Sequence, residues 1–295
     1  MGFMQDALLK RSFGTHDGTF HADEVTACAL LLLFDLIDRD KIFRTRNLDK
    51  LAYLEYVCDV GGIYDPLIKR FDHHQVEYKG SLSSAGMVLK YLHETFVIDE
   101  EFYHYFNRSL VIGVDSVDNG LTTQKIGHCS FSGVITNFVP IHHNADDILL
   151  LDAFNQALDF TFGHLKRLHD RYFYIKSCQD KVKKSMLEGR DVLIFDEPLP
   201  WMENFFELDG ENHPALFVIM PAGDHWKLRG IPPTYDQKMK VRKLLPRQWA
   251  GLLDDELVNV SKIPGAIFCH KGRFISIWKT KEDALKALEI AMRKV

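Results

Sequence analysis

The sequence predicts an α/β protein of two domains, and three observations carry that expectation. Short apolar runs alternate with amphipathic helical stretches from Leu8 to about residue 145, the pattern of parallel β–α units. Eight of the ten prolines lie beyond residue 190, a composition shift that marks a second domain. The 295 residues, 46% hydrophobic and 26% charged, are enough for two ordinary cores.

Taken in order, strands are expected at residues 10–15, 41–45, 56–60 and 69–71, and helices at 23–38, 84–96 and 100–114. Asn144 followed by Ala-Asp-Asp reads as a helix cap with an acidic first turn, opening a helical stretch that runs to about residue 188. A strand at 191–195 and a last helix at 281–293 bound the C-terminal part. The domain division is therefore 1–145, a helical linker at 146–188, and 189–295.

The most apolar run, residues 28–34, is broken by Asp35 and is far below the roughly 20 residues of a membrane span. No membrane segment or secretion signal is expected. Five widely spaced cysteines (Cys28, Cys58, Cys129, Cys178 and Cys269) suit reduced thiols, exclude a zinc ribbon and point to a cytoplasmic protein.

Fourteen histidines are many for this length, and several lie beside aspartates in the first third. Four patches place them at strand or helix ends, where an open parallel sheet gathers ligands. They are Gly14-Thr-His-Asp-Gly-Thr-Phe-His-Ala-Asp-Glu, Val57-Cys-Asp-Val-Gly-Gly, Phe71-Asp-His-His and Gly113-Val-Asp-Ser-Val-Asp-Asn-Gly. Any one of these residues alone reads as a turn, a cap or a core histidine. Jointly, His16, His21, Asp23, Asp59, His73 and Asp115 supply enough ligands for two divalent ions sharing a carboxylate, and mixed imidazole and carboxylate donors favour Mn²⁺ over Mg²⁺, with Mg²⁺ still acceptable.

The series His16, His21-Ala-Asp23, Asp59, Asp72-His73-His74, Asp115 resembles the DHH phosphoesterase superfamily. Together with Ser83-Ser-Ala-Gly, Val117-Asp-Asn-Gly, Pro264-Gly-Ala-Ile-Phe-Cys-His and Lys279-Thr-Lys-Glu-Asp-Ala-Leu, it is similar to the Myg exonuclease family, once described as metal-dependent protein hydrolases. The resemblance covers nearly the whole chain. It implies an N-terminal DHH-type parallel-sheet domain, a helical linker and a smaller C-terminal α/β DHH-associated domain that binds substrate. One ion would take His16, His21 and Asp59; the other would take Asp23, Asp59, His73 and Asp115, with Asp59 bridging. His74 would face the scissile phosphate and Asp72 would orient a ligating imidazole. Asp118, three residues beyond Asp115, competes for the fourth position, and Asp115 is favoured.

A net charge of −5 argues against indiscriminate nucleic-acid binding, but two segments are basic. Residues 166–190 carry eight Lys or Arg, including Lys181 and Lys183, and residues 227–247 carry seven, including Lys240, Arg242 and Arg247. Trp226, Tyr235 and Trp249 flank the second segment, a mixture that suits stacking of single strands. Ser84 opens a helix whose amides could hold a phosphate, and His270 follows an apolar strand where a phosphate contact and a packing role are equally open. The expected activity is that of a hydrolase: a two-metal phosphodiesterase, a 3′-to-5′ exonuclease on single-stranded RNA. The alternatives are a hydrolase of a small substrate (a short oligonucleotide, a cyclic dinucleotide or pyrophosphate) and a non-catalytic metal-binding regulatory protein.

Overall fold

The structure, a computed structural model, describes residues 8–123, 125–142 and 144–293. The chain divides into two compact units, the first ending at Tyr172 and the second starting at Phe173.

The N-terminal unit contains β1 (Leu9–Thr15), α1 (Ala22–Leu33), β2 (Ile42–Arg44), α2 (Leu48–Ala52), β3 (Leu54–Cys58), β4 (Tyr64–Asp65), β5 (Arg70–Phe71), α3 (Ser84–Glu94), α4 (Glu100–Phe106), α5 (Ile112–Asp118) and α6 (Phe131–Thr136). Helix α7 (Asp147–Ser177) crosses from this unit into the next. The strands form one sheet of order β2-β1-β3-β5-β4, parallel throughout except for the β4–β5 edge pair. Ten of the twelve residues of α1 are buried, so this helix lies inside the unit, packed against α3, α5 and α6. That placement gives any carboxylate on its first turn a buried position.

Several boundaries differ from the expected ones for identifiable reasons. Helix α1 stops at Leu33, not residue 38, because Asp35 takes a positive φ of 56° and the Leu36 N–H donates to the Leu31 carbonyl at 2.9 Å. Residues 100–118 form one helical rod interrupted at Asn107–Val111 by a wide turn, in which the Ile112 N–H reaches back five residues to the Asn107 carbonyl. The cap of α7 is Asp146, whose Oδ1 accepts from the Leu149 N–H at 2.8 Å, and not Asn144. The short elements α2, β4 and α6 were not foreseen.

The C-terminal unit contains α8 (Gln179–Glu188), β6 (Val192–Ile194), α9 (Trp201–Glu207), β7 (Phe217–Ala222), β8 (His225–Gly230), α10 (Asp254–Ser261), β9 (Ala266–Cys269), β10 (Ile275–Trp278) and α11 (Lys281–Met292). Its sheet has the order β6-β7-β8-β10-β9, with β6–β7 parallel and the other pairs antiparallel. Strand alternation divides its core in two: Phe217 and Ile219 join Trp249 and Trp278 on one face, while Val218 and Met220 join Leu193 and Phe205 on the other. Trp249 is therefore a core side chain and offers no stacking face to a nucleic acid.

Arg242 also departs from its expected role. Its Nε donates to the Pro232 carbonyl at 3.1 Å, Nη1 to Ala215 at 3.0 Å and Nη2 to Gly210 at 2.6 Å, and its guanidinium lies over the Phe205 ring. The guanidinium is spent on tying a loop to the sheet, and a phosphate would have to compete with backbone carbonyls. Arg242→Met should lower the melting temperature by several degrees, the effect of losing on the order of 2 kcal/mol, whatever the substrate. Unchanged melting of that variant would return Arg242 to the pool of binding residues.

Candidate metal centre

The centre forms where three neighbouring parallel strands end. Gly14 lets β1 pass close to its neighbours, since a Cβ there would lie 2.6 Å from Leu54 Cδ1. His16 comes directly after β1, and His21 caps α1 at the far end of the connecting loop. Asp59 succeeds β3 with a φ of 57°, a left-handed conformation that Asp tolerates better than most residues. Asp72 and His73 come after β5, and Asp118 closes α5.

His16 Nδ1 contacts the Asp17 carbonyl at 2.9 Å, which leaves Nε2 facing Asp59 Oδ2 and Glu24 Oε1, each at 3.2 Å. His73 is held in the same manner. Its Nδ1 lies 3.3 Å from Asn119 Oδ1, and the Asn119 amide nitrogen donates to the Ser81 and Asp115 carbonyls, fixing which way the amide points. His73 Nε2 then faces Asp118 at 3.1 Å, Asp59 Oδ1 at 3.5 Å and Asp23 Oδ2 at 4.0 Å.

The residues fit a divalent cation on one decisive observation. Both Asp23 carboxylate oxygens, Asp59 Oδ1 and His73 Nε2 are buried without a hydrogen-bond partner, a costly state for a charged or polar group. Three ligand groups lie within coordination reach: His16, His21, Glu24 and Asp59; Asp59, His73 and His74; and His21, Asp23 and Asp118. Asp59 and His21 each belong to two of them.

The imidazoles and carboxylates of the cluster shift one another's protonation. Burial works against a charged His16, but hydrogen bonds to Asp59 and Glu24 outweigh it and push its pKa from 6.5 up to about 10. His73 also rises to about 10, its burial being outweighed by Asp118 and Asp59. Asp59 falls to about 2 despite burial, because His16 and His73 hold its charged form. Burial, then Glu24 and Asp59, raise Asp23 well above its ordinary value.

The histidines' stabilising contribution is thus fully present below pH 6.5 and is lost as pH rises towards 10. That of Asp59 is present above pH 3.8 and is lost as pH falls through about 2. With a chelator present, the melting temperature should decline between pH 6.5 and 10, and a smaller decline is expected for His73→Gln. Saturating Mg²⁺ should flatten the decline, since a cation replaces the protons. A flat chelated profile would contradict this account.

The structure brings Asp118, and not Asp115, against His73 and into a candidate ligand group. Asp115 Oδ1 accepts from the Ser83 N–H at 3.1 Å, the Ser83 hydroxyl at 2.7 Å and the Gly86 N–H at 3.0 Å, so its carboxylate sits on the N-terminus of α3. Gly86 makes room for it, since a Cβ there would fall 2.2 Å from Asp115 Oδ2. The same contacts displace the phosphate expected at this helix start. Ser84 is likewise engaged, its hydroxyl donating to the Phe71 carbonyl at 2.7 Å.

Asp72 contacts His74: its Oδ1 lies 2.9 Å from His74 Nδ1, and its Oδ2 accepts from the Gly62 N–H at 2.6 Å. His74 Nδ1 is also 3.3 Å from Asp59 Oδ1, and its side chain remains 64% exposed. Glu24 and Asn119 were missed. A glutamate three residues after a cap position was the available signal for Glu24, which completes a capping box with His21. Arg44 was missed as well. It stacks on Phe20 and Phe154 and donates to the Gly18 carbonyl at 2.6 Å, bracing the loop between His16 and His21.

The remaining candidates lie in the C-terminal unit. Lys183, Lys240 and Arg247 are exposed, and Lys181 is paired with Glu197. His270 Nδ1 accepts from the Gly272 N–H at 2.9 Å and its ring packs on Phe274. Among the described residues, no helix is long and apolar enough to cross a membrane.

Comparison with known proteins gives the chain its place. The MYG1_exonuc family model, described as an uncharacterised protein family (UPF0160), matches residues 12–292. A MYG1 protein of Chlamydia muridarum is 54% identical over 288 residues, covering 97% of this chain and 98% of the relative. The MYG1 exonuclease of Homo sapiens is 31% identical over 316 residues, covering 92% of this chain and 83% of that protein. Among solved structures, a pGpG-specific phosphodiesterase from Vibrio aligns over 95% of this chain and 97% of its own, with 11% identity and a TM-score of 0.31. The exonuclease RecJ bound to manganese aligns over 96% and 91%, with 13% identity and a TM-score of 0.30. On the strength of the sequence matches, the chain belongs to the MYG1 exonuclease family.

Proposed function

We propose that this chain is a two-metal phosphodiesterase, a 3′-to-5′ exonuclease that shortens single-stranded RNA. The observation that carries the reading is the cluster of buried carboxylate and imidazole atoms without hydrogen-bond partners around Asp59. His16, His21, Asp23, Asp59, His73 and Asp118 would hold the ions, with Mn²⁺ favoured and Mg²⁺ acceptable. Divalent cations there would supply Lewis acidity and acidify water at neutral pH. Asp59 belongs to two of the groups and keeps its charge, while contacts of Asp17 and Asn119 with the two Nδ1 atoms leave both Nε2 atoms facing the cluster, where they would bind an ion on losing their protons. His74, steadied by Asp72 and exposed on its outer side, is placed to hydrogen-bond a phosphate oxygen. A cytoplasmic location is part of the same reading.

Lys183 and Lys240 are proposed as phosphate contacts along the strand, since both are exposed and neither is committed to backbone carbonyls as Arg242 is. The test is a labelled RNA ladder with Mn²⁺, run beside a dinucleotide and pyrophosphate. Progressive shortening from the 3′ end is expected, and cleavage of only the small substrates would replace the exonuclease reading. In Lys183→Ala/Lys240→Ala, binding of long RNA should weaken and its salt dependence flatten by about 0.7 per lost contact. Dinucleotide hydrolysis should stay near wild type. Equal losses on both substrates would make these lysines a solvated surface.

A further inference from the structure

Glu24 belonged to no ligand set expected from the sequence, yet its surroundings are those of a ligand. Its side chain is fully buried, and Oε1 lies 3.2 Å from His16 Nε2, the same distance as Asp59 Oδ2 from that nitrogen. The His21 N–H lies 2.9 Å from Oε1 and 3.0 Å from Oε2. A glutamate needed only to cap a helix can do so at the surface, whereas this one is buried with the His21 amide and the His16 imidazole as its partners, beside a second buried carboxylate, a concentration of negative charge that a divalent cation would offset. Donor atoms of His16, His21, Glu24 and Asp59 all fall within 4.8 Å of one another. The preceding residue, Asp23, is also buried, with both oxygens unpartnered.

We propose that Glu24 is an inner ligand of the ion held by His16, His21 and Asp59. The inference rests on the metal reading above and adds a donor to it. Two imidazoles and two carboxylates make this site one for borderline cations such as Mn²⁺ and Co²⁺. The oxygen-rich set of Asp23, Asp118 and Asp59 with His73 is more tolerant of Mg²⁺. The two ions are thereby chemically distinct, and Glu24 is what keeps the imidazole-rich site anionic enough to hold a divalent cation.

Glu24→Gln tests this, because the amide oxygen can still accept from the His21 N–H and keep the start of α1 intact. Equilibrium dialysis against Mn²⁺ should find two ions per wild-type chain. In the variant, one site should weaken by more than about a hundredfold, the ceiling for a residue that only supports a ligand from outside. A smaller loss makes Glu24 a helix cap and overturns the proposal. Wild-type protein that binds no Mn²⁺ would overturn the metal reading itself, a different outcome. Should Glu24→Gln melt well below wild type in chelator, two further measurements decide. Glu24→Asp, which keeps the charge, should still bind two ions. The visible absorption of Co²⁺-loaded Glu24→Gln should differ in shape from that of the wild type, and an identical spectrum places Glu24 outside the coordination sphere.

Discussion

Replacing Asp59 with alanine should reduce hydrolysis at least about a thousandfold and remove most divalent-ion binding, the largest effect expected of any single substitution here. One Asp59 oxygen lies 3.2 Å from His16 Nε2, while the other lies 3.5 Å from His73 Nε2 and is buried without a hydrogen-bond partner. Among the described residues, no other carboxylate lies within ion-pair distance of both imidazoles. Alanine also places a Cβ without a compensating polar group at a φ of 57°, which costs roughly 1–2 kcal/mol. Asp59→Asn separates the two effects, because Asn adopts this conformation readily. Both variants should lose the ions and the pairing of the Asp59 charge with the two imidazoles, and in chelator the alanine variant should melt below the asparagine one. Calorimetry that finds two tight sites in either variant would remove Asp59 from its bridging role.

The second large effect is expected at His74. Its alanine variant should lose turnover by about 10²-fold or more while the number of bound ions stays the same. The imidazole is 64% exposed, and Asp72 grips its Nδ1 at 2.9 Å, an arrangement that aims the ring outward more than into the cluster. Its Nδ1 also lies 3.3 Å from Asp59, so metal analysis of the purified variant is the deciding measurement. A missing ion would make His74 a ligand. A loss confined to affinity for substrate, with turnover intact, would make it a binding residue.

The candidate centre was legible because its residues sit at the ends of strands. His16, Asp59 and His73 each end an apolar run, and strand ends in a parallel sheet converge by construction. The choice between Asp115 and Asp118 was not legible, since both lie on one helix and the residue that decides is distant in sequence. Ser83 and Gly86 claim Asp115 through α3's first turn. Arg242 illustrates the same limit: a basic residue in a basic segment looks available until the loop carbonyls around it are placed. Glu24 was hidden by adjacency, because neighbouring residues on a helix normally point in different directions. Here α1 is buried on nearly every side, so both Asp23 and Glu24 lie inside.

The wide turn at Asn107–Val111 has a consequence for insertions and deletions. Each residue added to a helix rotates the downstream chain by about 100°, and a turn that spans five residues instead of four has absorbed one extra step. Deleting a single residue there would let ordinary helical bonding run unbroken from α4 into α5. Asp115 would then swing off the start of α3 and Asp118 away from His73, with every side chain of the centre still present and helical content unchanged. The geometry of this centre is thus written in the number of residues between α4 and Asp118 as much as in their identity. A change of length in that stretch is expected to be more damaging than most changes of residue within it.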